Sequence, residues 1–379
     1  MQTRVRIVPA LLLLFSPLAV LAQTSGHLPA NEAEEHLHAG ISAQQRGDMK
    51  TAIEEYRRAL AIRPELPEAR ANLGAALAAV GNFDAAIEED KRALLSTPDR
   101  TSVRMNLALA YYKKGDLQDA RPEFAAVHAA RPLDISAAML LGYTEVKLGS
   151  AKEAVQLLAP LEPGRESNTD LEFVLASAMI QSGAEDEGLP RMETVAKTTR
   201  SADAYFIVGS SRLNRREFKQ ARVDLDAAAK LDPSIPGLNT MVGQARDALG
   251  DTDAASQAFE DALKTDPRDP LANLYLGAIR LKQRDLIRAR PLLELALELE
   301  PQMPQARLQM AKLNAMTGKN AEAAAALEEL EKANPNWLDP HIELAPIYYK
   351  LHRPEDGQRE RDIVQQIEAE QQKEGPPKK

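Results

Sequence analysis

Histidines, carboxylate pairs and short charged motifs are the places where chemistry would first show in this sequence. Six histidines are scattered along 379 residues. His36 and His38 stand two apart, which puts them on different sides of a helix, whereas shared metal ligation on one helix wants a spacing of three or four. Acid runs such as Glu88, Glu89 and Asp90, or Glu328, Glu329 and Glu331, fall where solvated helix faces are expected and read as solubilising surface, not as paired catalytic carboxylates. The sequence has no HExxH, no P-loop and no GxSxG pattern, and no cysteine that could serve as a nucleophile. Arg46, Gly47 and Asp48 spell an adhesion signal, but so short a motif carries meaning only in the right loop. No catalytic, cofactor-binding or metal-binding residue is expected, and the chain reads as a non-enzyme.

What would position any site is helix. Hydrophobic residues make up 44% of the chain, enough for a core, while aromatics are only 4%. Ala and Leu supply most of the apolar side chains beside many Glu, Arg and Lys, all good helix formers, so an all-α protein is expected. Residues 1–22 differ: Arg4 and Arg6 precede an apolar run that ends at Ala22, the layout of a signal peptide. An uncleaved anchor is the alternative, disfavoured by the short run and by Pro9 and Pro17. The mature chain is thus expected outside the cytoplasm, periplasmic or secreted, with no membrane span once the signal is cut. The absence of cysteine leaves it without disulfides or a lipidated cysteine. Loss of Arg4 and Arg6 takes the formal charge from −9 to −11, which argues against nucleic acid or an anionic membrane as partner.

Glycines recur at Gly47, Gly81, Gly115, Gly149 and Gly183, each 34 residues after the last, and Gly250 and Gly318 continue the series with one residue lost. Prolines give an independent ruler of the same period: Pro64, Pro98 and Pro132, then Pro233, Pro267, Pro301 and Pro335. Counted from Ala33, the eighth position of every unit is small (Gly40, Gly74, Ala108, Gly142 and onward) and the twentieth is nearly always alanine. Small residues at one fixed place in each half of a unit are what two antiparallel helices need for close approach. Each unit therefore reads as helix, turn at the glycine, helix, and a stop before the proline. In that frame Gly47 and Asp48 form a turn, glycine supplying the positive φ and aspartate capping the next helix. Arg46 is a variable residue before it.

This pattern resembles the tetratricopeptide repeat family over about residues 33–371. The small residue at position 8, Gly at 15, Ala at 20, a bulky residue at 24 (Tyr56, Phe124, Phe259), Ala at 27 and Pro at 32 are all present. Ankyrin, of similar period, would need a TPLH-like turn that never occurs. The resemblance implies an α-solenoid, a right-handed superhelix of about ten helix-turn-helix repeats. It also implies a concave groove lined by first helices, with positions 2, 5, 9, 12 and 13 pointing inward. Transferred here, those positions in units three to five hold Met105, Leu109, Tyr112, Met139, Tyr143, Val146 and Phe173, with Lys113 and Lys147 beside them. That is an apolar patch suited to a protein or peptide partner. The other reading is that the superhelix turns some of these side chains inward. Carboxylate capture by a groove asparagine is not expected, because position 9 is Ala75, Leu109, Tyr143 and Ser177 in successive units.

The pattern weakens at residues 160–202, where Pro163, Gly164, Gly188 and Pro190 suggest either a bend between two stacks or an ordinary divergent repeat. Arg216, Arg284 and His352 replace the turn glycine, at a cost on the order of 1 kcal/mol each if φ stays positive. Residues 338–371 read as an end cap, residues 23–32 as a linker and residues 372–379 as a disordered tail. The expected function is a non-catalytic interaction scaffold that binds a partner segment in the groove. The alternative is an architectural subunit that self-associates in a secretion or envelope assembly.

Overall fold

The computed structural model describes residues 29–97, 100–164 and 167–374, and the expected signal peptide lies outside them. Among the described residues there are twenty α-helices, one 3-10 turn and no strand. No helix among them is long and apolar enough to cross a membrane. The chain divides into two compact units, one ending at Ile207 and the other beginning at Val208.

The N-terminal unit holds five helix pairs: α1 (Pro29–Gln45) with α2 (Met49–Ile62), α3 (Pro67–Ala79) with α4 (Phe83–Ser96), α5 (Thr101–Lys114) with α6 (Leu117–Ala130), α7 (Ile135–Lys147) with α8 (Ala151–Leu158), and α9 (Thr169–Ser182) with α10 (Glu185–Thr199). The 3-10 turn Ala159–Leu161 follows α8. Helix α11 (Ala202–Asn214) straddles the division and pairs in sequence with α12 (Phe218–Leu231). The C-terminal unit continues with α13 (Leu238–Ala248), α14 (Thr252–Thr265), α15 (Pro270–Lys282), α16 (Leu286–Leu299), α17 (Pro304–Met316), α18 (Asn320–Ala333), α19 (Leu338–Lys350) and α20 (Pro354–Glu374). Helix starts earlier and ends later than the repeat frame of 33–371.

The eighth position is small because the bulky side chain of position 24 lies directly over it. A Cβ on Gly40 would sit 2.5 Å from the Tyr56 ring, and one on Gly243 would sit 2.5 Å from the Phe259 ring. Leu158 covers Gly142 in the same way, and Leu293 covers Gly277. Tyr56, Phe124 and Phe259 are fully buried, worth about 1.5–3 kcal/mol each in area removed from water. In the N-terminal unit one continuous core joins Tyr56, Leu77, Ile87, Leu107, Tyr111, Phe124 and Leu141. Each pair thus hides its apolar face against the next.

One acid departs from expectation. Asp90, read from its acidic run as solvated, occupies position 24 of the second unit and is 0% exposed. Its carboxyl packs on Gly74 where other units place a ring or a leucine, and burial pushes its pKa well above the ordinary carboxylate range.

The turns follow the glycine ruler. Gly47 has φ 79°, and the Asp48 carboxylate accepts from the Thr51 backbone N–H at 3.1 Å to cap α2. Asp251 caps α14 likewise through Ala254 at 3.3 Å. Asp116 does not: it makes no capping bond, and Lys114 holds it at 2.8 Å. Arg216, Arg284 and His352 keep the left-handed turn, with φ of 60°, 61° and 58°. Pro190 sits at the sixth residue of an unbroken α10, where it forgoes one i→i−4 hydrogen bond without ending the helix.

Candidate functional site

Helices α5, α7 and α9 carry the nine residues of the expected groove. Position 5 of each supplies Met105, Met139 and Phe173, position 9 supplies Leu109 and Tyr143, and positions 12 and 13 supply Tyr112, Lys113, Val146 and Lys147. The structure brings the last turn of α5 against α7: the Tyr112 and Tyr143 rings lie 5.9 Å apart, tilted by 52°. Tyr112 also meets the edge of Phe124 from its own pair at 6.4 Å, so one ring ties the first-helix face to the core beneath it. Lys147 lays its ammonium 5.1 Å from the centre of the Tyr143 ring.

Burial divides the nine. Leu109, Met139, Tyr143, Val146 and Phe173 are between 5% and 8% exposed, so neighbouring helices already take up most of their surface. The inward-turned reading describes these five. Met105, Tyr112 and Lys147 are half-buried and Lys113 is exposed, and these form the accessible rim. Burial pushes the Tyr112 hydroxyl up to about 12, partly offset by a hydrogen bond with Tyr143. Burial also lowers the Lys147 ammonium, with Asp203 on α11 acting in the opposite direction. The arrangement offers a firm apolar floor with aromatic edges and two cations at its rim.

The register also reveals polar contacts that a search along single helices does not find. Position 4 of the first helix faces position 23 of the second, 19 residues on. Arg70 donates to Glu89 at 2.9 Å, and Arg104 to Glu123 at 2.8 Å. Histidine takes the basic place twice, as His36 with Glu55 and His341 with Glu360, each at 2.6 Å. The fifth unit reverses the sense: Glu172 on α9 faces Arg191 on α10, which also reaches Glu162 at 2.6 Å. The 19-residue spacing of opposite charges was the available signal.

Comparison with protein families gives three matches. One, described as a TPR repeat, covers residues 44–81; a tetratricopeptide repeat covers 105–165 and again 240–304; a further tetratricopeptide repeat covers 280–345. Together they take in more than half of the sequence. The chain belongs to the tetratricopeptide repeat family. Among solved structures, this tetratricopeptide repeat protein is similar to yeast Tom70, with 16% identity and a TM-score of 0.37 over 89% of this chain and 94% of that one. It is also similar to the MamA protein, with 19% identity and a TM-score of 0.40 over 44% of this chain and 91% of that one. No curated protein matches it. Tetratricopeptide repeat proteins are typically scaffolds for protein–protein contact, and the repeats place this chain among them.

Proposed function

We propose that the chain is an exported scaffold that binds a segment of a partner protein along the face formed by α5, α7 and α9. The observation that carries this reading is the Tyr112, Tyr143 and Lys147 cluster: two rings 5.9 Å apart, with a cation over one of them, on the first-helix side of the pairs. Tyr112 and Met105 keep part of their surface in water, Lys113 stands free beside them, and the five buried residues hold these groups rigid. A preformed rim of this kind loses little entropy when a partner arrives. It suits a segment that brings apolar side chains and a carboxylate, matched to aromatic edges and two ammonium groups.

Photo-crosslinking side chains placed at Met105 and Lys113, with exposed Arg92 on a second helix as control, test the reading in the native cells. The expected result is a discrete heterologous adduct, identified by mass, from Met105 and Lys113 but not from Arg92. Equal adducts at all three positions, or adducts only between copies of this chain, would overturn it, the latter in favour of the architectural subunit. Export rests on Arg4, Arg6 and the apolar run before Ala22. The mass of the mature N-terminus is expected to begin at Gln23, and an intact residue 1 on the cellular protein would refute cleavage.

A further inference from the structure

Glu331, His341 and Glu360 come from three successive helices, α18, α19 and α20, and their ligand-type atoms all lie within 4.8 Å of one another. His341 is 1% exposed and Glu360 3%, so this is an interior cluster rather than a patch of surface acids. The two imidazole nitrogens have different partners. Nε2 lies 2.9 Å from the Pro335 carbonyl oxygen, which can only accept, so Nε2 carries the hydrogen and donates. Nδ1 faces the Glu360 carboxylate at 2.6 Å. An imidazole whose far N–H is held by a backbone carbonyl is fixed in tautomer and aim, the usual outer support of a metal-bound histidine.

The same three register positions are occupied once more, in the N-terminal unit, by Glu162, Glu172 and Arg191. There the guanidinium reaches both carboxylates, Glu162 at 2.6 Å and Glu172 at 3.1 Å, and its charge is permanent. In the last unit two carboxylates again converge, but the base is a histidine, whose ring nitrogen can ligate a metal where a guanidinium cannot. Arg359 does not replace the missing guanidinium, since its ion pair is with Asp356 at 2.9 Å. Glu328 is likewise engaged, accepting from the Tyr348 hydroxyl at 2.7 Å.

We propose that Glu331, His341 and Glu360 bind a divalent transition-metal ion of the zinc class, which clips α18, α19 and α20 together. One nitrogen and two carboxylate donors suit zinc, with ligand distances of about 2.0–2.2 Å. An imidazole in the set favours such ions over magnesium or calcium. The contact between Nδ1 and Glu360, now 2.6 Å, opens by about 0.7 Å to admit the ion, since donors about 2 Å from a tetrahedral centre stand roughly 3.3 Å apart. The ion supplies the charge that Arg191 supplies in the fifth unit, and by binding only the folded arrangement it stabilises the last repeat on its predecessor.

The test uses the full chain freed of metal by a chelator. Zinc chloride is titrated by calorimetry, and thermal unfolding is followed with zinc, with magnesium chloride and with neither. One saturable zinc site and a rise in midpoint with zinc alone are expected. H341R copies the position-4 guanidinium that Arg70 and Arg104 present to Glu89 and Glu123, so it is expected to keep its helicity and lose zinc binding. E331Q leaves the His341–Glu360 pair in place and is expected to weaken zinc by about a hundredfold or more. No saturable zinc binding by the unmodified chain, or unchanged zinc affinity in E331Q, would overturn the proposal and leave the cluster as a buried ion pair.

Discussion

The carboxyl group of Asp90 lies against Gly74 with no hydrogen-bond partner for either oxygen among the described residues, at the position where Tyr56 covers Gly40 and Leu158 covers Gly142. An acid has been placed in a slot built for an apolar side chain. Because burial raises its folded pKa above the unfolded value, folding takes up a proton, and stability falls as pH rises from the ordinary carboxylate range through the folded value. Asp90→Leu copies the Leu158 arrangement. It is expected to stabilise the chain at pH 7 by about 1–3 kcal/mol and to flatten this part of the pH dependence. Urea unfolding of both proteins at pH 4, 6 and 8 checks it; a less stable Asp90→Leu chain at pH 8 contradicts the assignment.

Gly40→Ala should destabilise, although alanine is the better helix former by about 1 kcal/mol. The new methyl would meet the Tyr56 ring at 2.5 Å, and the ring cannot swing away because its hydroxyl donates to Gln44 at 2.6 Å in the core. A net loss of about 1–3 kcal/mol is expected in thermal or urea unfolding.

Arg284→Gly should stabilise. Arg284 holds φ 61° with an L side chain, where most units use glycine, and Asp285 caps α16 through Arg288 N–H at 3.1 Å whatever occupies residue 284. Relief of the left-handed strain, less the greater freedom of glycine in the unfolded chain, leaves about 0.5–1 kcal/mol. Differential scanning calorimetry reads this as a higher midpoint.

The helix pairs and their register were legible because they rest on steric rules that repeat: positive φ at residue 15 of a unit and a small residue beneath a large one. Even the departures at Arg216, Arg284 and His352 kept the backbone that the frame requires. Asp90 was misread because its neighbours Glu88 and Glu89 made the run look solvated, whereas helix register, not local charge, decides which side faces inward. The pairing of His341 with Glu360 was hidden because ligand spacing was sought along one helix, while the contact runs between two, 19 residues apart. The burial of Met139, Tyr143 and Phe173 depends on how closely neighbouring first helices pack, which no single repeat encodes.

Arg191→Met should cost about 1–2 kcal/mol, a figure reduced from that of a sealed pair because the guanidinium is partly exposed. It leaves Glu162 and Glu172 facing each other without a cation, and burial already raises the Glu172 carboxyl. The loss should shrink as pH falls into the carboxylate range, where protonation relieves the repulsion, and unfolding at pH 4 and pH 7 measures the difference.

The central functional claim is that the rim around Tyr112 grips a partner. Its most direct measurement is the affinity of the crosslinked partner, once identified, for the unmodified chain and for the double variant Tyr112→Ala, Lys113→Glu, by calorimetry with circular dichroism as the check on folding. A loss of at least about tenfold with helicity unchanged is predicted, since an aromatic anchor and a rim charge together are worth more than about 1.4 kcal/mol. Equal affinity for both proteins would contradict it.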